Sequence, residues 1–112
     1  MSASTLPTQS PVTAPTLECP DDNNAIYTAA NGGRFTVICD ENFPFNDLQM
    51  FNDTSTLNDC IEHCAYFNRL NPSIPCVGVV LAPFASDCWI KGYIGPGSSS
   101  NISWSATECT SC

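Results

Sequence analysis

Positive charge is scarce in this 112-residue chain: three Lys or Arg stand against eleven Asp or Glu, for a net charge of −8 at pH 7. A surface of that sign repels phosphate backbones and heparin-like sulfated chains, which argues against nucleic acid as a partner. Histidine is scarcer still, with His63 alone. No Gly-x-Ser-x-Gly elbow and no spaced acid/base pair accompanies it, so the chain reads as a non-enzyme without a cofactor. Also missing is any run of about 20 apolar residues, the length a bilayer-spanning helix needs. The most apolar stretch, Cys76 to Phe84, is interrupted by Gly78 and Pro83. Residues 1–17 have neither the basic start nor the apolar stretch of a signal peptide, so a secreted or cell-surface location is inferred from the cysteines alone.

Cysteine is what the chain has in excess. Eight in a single-domain length form an even set, the signature of a disulfide scaffold in an oxidising compartment. Zinc is the competing reading, because Cys109-Thr-Ser-Cys112 has ligand spacing; no second C-x-x-C partners it, and no metal is expected there.

Residues 1–17 hold three prolines and seven Ser or Thr, with no charge, and read as a linker or tail that is either solvated or O-glycosylated. The domain is expected over 18–112. Asn31-Gly32-Gly33 signals a turn before Arg34 to Cys39, a β-branched and aromatic run, which predicts a hairpin. Asp40 to Asp53 keeps neither period and is expected to be an irregular loop. Thr56 as N-cap, with Leu57, Cys60, Ile61, Cys64 and Phe67 at helical spacing, predicts a helix over Leu57 to Asn68. Asn71-Pro72 and Ile74-Pro75 end it. Cys76 to Leu81 and Asp87 to Tyr93 predict two antiparallel strands, the first central and covered on both faces. Ile102 to Thr107 is expected to be a last, edge strand.

Cys60 and Cys64 lie on one face of that helix and point the same way, poorly aimed at each other. Each must reach another element, and Cys76 and Cys88 open the two strands a packed helix would meet. Nesting Cys64 to Cys76 inside Cys60 to Cys88 closes the shorter loop with the nearer partner. The other four cysteines allow three pairings. Cys19 with Cys39 and Cys109 with Cys112 is the preferred set, with bonds from Cys19 or Cys39 to the far end as alternatives.

Candidate sites are few. His63 is read as a surface or partly packed imidazole. Asp21-Asp22-Asn23-Asn24 lacks the spacing of a calcium loop and is read as a solvated turn; Asp40 and Glu41 carry a similar weak signal, and no metal is expected at either. Phe43, Phe45, Phe84, Tyr93 and Trp104 fall in predicted loops or strand ends, where an exposed ring stacks on a sugar or anchors a protein contact. Burial is the plainer fate of any one of them, and two exposed neighbours would mark a binding site. Trp89 is assigned to the core or a layer facing it. Asn52 and Asn101 head N-glycosylation sequons, whereas Asn71-Pro72-Ser73 is excluded by its proline.

The run Ser55 to Cys64, then Cys76-Val-Gly-Val-Val80, then Asp87-Cys-Trp-Ile-Lys91 resembles the core of a PAN/apple module, and Arg34 to Cys39 with Asn46-Asp47-Leu48 is similar to its fungal extracellular branch. The resemblance covers about Cys19 to Tyr93. It implies an α+β fold, one disulfide-tied helix packed on an antiparallel sheet with the nested pairing, and a role in adhesion or recognition of proteins or carbohydrates. The ending Glu108 to Cys112 and the acidic loop around Glu41 depart from the pattern. Fold does not fix the ligand. The expectation is a secreted recognition module for carbohydrate or extracellular protein; a self-associating surface protein, or a small effector or inhibitor acting on a host protein, are its rivals.

Overall fold

The turn at Asn31-Gly32-Gly33 is where the sheet begins. A computed structural model describes residues 15–110 and 112; of the expected tail, residues 1–14 lie outside the described residues. Gly32 takes φ +90°, a left-handed value glycine adopts without penalty, and the Asn31 side chain accepts a hydrogen bond from the Gly33 N–H at 2.9 Å. This turn joins β1 (Ile26–Thr28) to β2 (Arg34–Asn42). Then follow β3 (Asp47–Phe51), α1 (Leu57–Leu70), β4 (Gly78–Ala82), β5 (Asp87–Lys91) and β6 (Ser98–Glu108). All strands join one antiparallel sheet of six in the order β1-β2-β6-β4-β5-β3. Over the described residues the protein is a small α+β domain with one helix and four disulfides.

Helix α1 starts where its cap places it. The Thr56 hydroxyl accepts from the Asp59 N–H at 3.1 Å, satisfying one of the N–H groups that a helix start leaves unpaired. Asp59 in the first turn and Arg69 in the last both complement the helix dipole. The helix runs two residues beyond the predicted end, to a C-cap at Asn71 just before Pro72. Its inward face of Leu57, Cys60, Ile61, Cys64 and Ala65 packs on Phe35, Val37, Val79, Leu81, Cys88, Ile90 and Ala106 of the sheet. Burying each large aliphatic side chain there contributes about 1.5–3 kcal/mol.

The disulfides follow from that packing. Cys60 bonds Cys88 in β5, and Cys64 bonds Cys76 just ahead of β4, in the nested order. Asn68 guides the second bond: its amide donates to the Cys76 carbonyl at 2.9 Å, and its Oδ1 accepts from the Cys76 N–H at 2.5 Å. Cys19–Cys39 ties the first segment to β2, and Cys109–Cys112 closes a short loop after β6.

Two expectations are corrected. The segment Asp40 to Asp53 is not an irregular loop: β2 runs on to Asn42, and β3 forms the far edge of the sheet. Asp40 at φ 57° and the register shift between Cys39 and Glu41 form an irregularity that breaks the alternation, and a second shift between Asp47 and Gln49 does the same in β3. Secondly, β6 is longer than expected and lies between β2 and β4 instead of at an edge. Its buried Ser105 is tolerated because the hydroxyl donates to the Glu41 carbonyl at 2.6 Å. Ahead of β1, Leu17 is buried, its N–H donates to Asn58 Oδ1 at 2.8 Å, and Asn58 Nδ2 donates to the Pro15 carbonyl at 3.1 Å. Among the described residues no helix is long and apolar enough to cross a membrane.

Candidate functional site

Side chains of β4 and β5 alternate between the helix and the opposite face of the sheet. Val79, Leu81, Cys88 and Ile90 meet the helix; Val80, Trp89 and Lys91 point the other way. On that second face Trp89 is the direct cross-strand neighbour of Val80 on one side and Met50 on the other. The segment between β2 and β3 folds back over this row and closes a groove of about 290 Å³. Pro44, Phe45, Val80, Trp89 and Ile102 supply its apolar walls, and Asn42, Asp47, Lys91 and Ser103 its polar groups.

A buried cation holds the lid in place. The Lys91 side chain is only 4% exposed; its ammonium donates to the Phe45 carbonyl at 3.2 Å and pairs with Asp47 Oδ1. A Lys charge taken out of water requires such partners. The latch also stabilises the unusual backbone above it, where Phe45 and Asn46 take φ 70° and 65°, a region non-glycine residues rarely occupy. The result is an aromatic ring 80% exposed at the lip of the groove. Lys91 and Asp47 cancel in charge, and the Asp47 side chain remains 46% exposed.

The five candidate rings part company. Phe45, Phe84 and Tyr93 are exposed, but Phe43 is buried and Trp104 packs, half-buried, against the core. Phe43 lies against Gly97, where even a Cβ would come within 2.8 Å of its ring. Phe84 sits in the β4–β5 turn and Tyr93 follows β5, so neither shares the groove with Phe45. The ring that does share it is Trp89, which sequence reasoning assigned to the core or a layer facing it; its position opposite Cys88 in strand alternation was the available signal.

Other candidates resolve into structural roles. Asp22 Oδ2 accepts from the Glu18 N–H at 2.8 Å within the turn, and Asn23 Oδ1 accepts from the Cys39 N–H at 2.9 Å, tying that turn to β2. Among the described residues no group of three or more His, Cys, Asp or Glu is placed to hold a metal. His63 stacks on Phe51, with centroids 4.0 Å apart and planes within 2°, and its Nε2 lies 3.3 Å from the Thr54 hydroxyl. Burial lowers its pKa below the usual 6.5, against a smaller opposing pull from Asp59. Tyr27 donates to Glu62 at 2.7 Å; its burial, first, and that carboxylate, second, raise the phenol well above its usual range. Asn52 and Asn101 are both exposed, and Asn101 immediately precedes Ile102 and Ser103 of the groove wall.

No protein-family model matches the chain, and a search of curated proteins finds no match to it.

Proposed function

We propose that the chain is a secreted, non-catalytic recognition module of the PAN/apple type, which binds a neutral carbohydrate in the groove beneath Phe45. The observation that carries this reading is the pairing of an 80% exposed Phe45 with Trp89 across a cleft edged by Asn42, Asp47, Lys91 and Ser103. Sugars present an apolar ring face and a rim of hydroxyls; flat side chains stack on the first and amide, hydroxyl and carboxylate groups bond the second. The internal neutralisation of Lys91 by Asp47 and the net charge of −8 favour uncharged glycans over sulfated or uronate-bearing ones.

The family reading is supported by the helix carrying Cys60 and Cys64, tied in nested order to Cys88 and Cys76. Four disulfides in so small a domain are compatible with an extracellular location. The rigid scaffold lowers the ordering cost of binding, because the groove exists before the ligand arrives. A glycan on Asn101 would stand at the rim and narrow access, so the protein should be tested both with and without it.

The test is binding of the oxidised protein to a broad glycan array, wild type beside Phe45→Ala. Retention of one neutral glycan class by the wild type, lost in the variant at unchanged thermal stability, supports the reading. An empty array, or glycan binding indifferent to Phe45, defeats it.

A further inference from the structure

Among the described residues the sheet ends at β3, which pairs with β5 on one side only. Asp47–Phe51 contains neither Lys nor Pro, the residues that commonly blunt an exposed edge. Its outer side therefore offers alternating N–H and C=O groups to an added strand. Alongside, between β3 and α1, lies a second cavity of about 210 Å³, walled by Phe51, His63, Tyr66 and Phe67. The Phe51–His63 stack makes one wall rigid, and Tyr66 at 55% and Leu70 at 62% exposure continue the apolar surface outward.

An edge strand running beside a slot against a helix is the arrangement that captures an extended peptide: main-chain bonds give affinity, and the slot selects one side chain. Charge narrows the occupant. Asp53 follows β3, and Asp59 stands in the first turn of α1, one turn ahead of His63, while Arg69 over the Tyr66 ring is the one Lys or Arg of the helix. A second copy of the chain would bring another net charge of −8 against the first. We infer that β3 and its slot form a second site, separate from the groove under Phe45, for an extended basic segment of a partner protein that adds a strand to β3 and anchors one apolar side chain beside Tyr66.

The experiment screens the oxidised protein against a library of extended hexapeptides and titrates the best by fluorescence polarisation. Expected are peptides with Lys or Arg flanking one apolar residue, weakening at least about tenfold between roughly 20 and 300 mM salt. N-methylation of the peptide backbone should abolish binding at alternate positions and be tolerated between them, since an added strand bonds through every other residue. Tyr66→Ala and Leu70→Ser, both at exposed positions, should each weaken binding by about tenfold at unchanged circular dichroism. The inference is overturned if no peptide is selected, if methylation is tolerated throughout, or if both variants bind as wild type. It is equally overturned if sizing at two concentrations shows a dimer that Tyr66→Ala dissolves, which would place a second copy on the edge.

Discussion

Removing Asp47 should hurt this protein more than removing Lys91, although the two form one ion pair. Lys91 is 4% exposed and Asp47 46%. Asp47→Ala strands an ammonium in the sheet with the Phe45 carbonyl as its remaining partner. Breaking a buried pair costs about 3–5 kcal/mol, and an exposed one about 0–1. With one partner buried and the other half-exposed, roughly 2 kcal/mol is expected for Asp47→Ala. Lys91→Met removes the charge, keeps an unbranched stem of similar length in the groove, and leaves a carboxylate that water can solvate, so its cost should be under about 1 kcal/mol. The double variant should resemble Lys91→Met, giving a coupling of about 2 kcal/mol in a double-mutant cycle. Urea unfolding reads this directly: with a slope of about 1–2 kcal/mol per molar for a domain of this size, Asp47→Ala should lower the midpoint by about 1–2 M. Equal midpoints for the two single variants would refute the argument that a buried cation latches the Phe45 segment.

The remaining expectations concern the core and its pH dependence. Because burial holds the His63 pKa below 6.5 in the folded state, the unfolded chain takes up a proton first as pH falls. Stability is thus full above about 6.5 and declines below it; the melting temperature should drop from pH 7.5 to pH 5 less steeply in His63→Gln than in wild type. Ser105→Ala leaves the Glu41 carbonyl without its hydroxyl donor and should cost about 1–2 kcal/mol by chemical unfolding. Opening Cys60–Cys88, which spans 28 residues, should cost roughly 3.5 kcal/mol in the chain-entropy model, against roughly 1.5 for Cys109–Cys112, which spans 3. Serine pairs at each bond, compared by calorimetry, test that ranking.

How far the sequence could be read depended on whether local chemistry or distant partners set each element. Helix α1 was legible because Thr56, the apolar spacing and Pro72 act within a few residues, and the spacing of Cys60 and Cys64 carries over to the nested bonds. Strands β4 and β5 were legible from β-branched runs bounded by a turn. By contrast, β6 is rich in serine, and its central place comes from pairing with β2 and β4, both far away in sequence. Strand β3 and the end of β2 were hidden by irregular pairing at Asp40 and at the start of β3. At the groove, Phe45 was among the candidate rings, but Trp89 and Lys91 were not. Their shared face depends on a sheet register that no local pattern specifies, and Lys91 is buried only because the Phe45 segment folds back upon it.

The most direct test of the account is to follow every backbone amide and the Trp89 indole by NMR while a neutral oligosaccharide selected on the array is titrated in. The account predicts saturable shifts confined to Asn42, Phe45, Asp47, Trp89, Lys91 and Ser103, all from one groove. Shifts centred on the helix face or scattered over the surface, with the Trp89 indole unmoved, would contradict it.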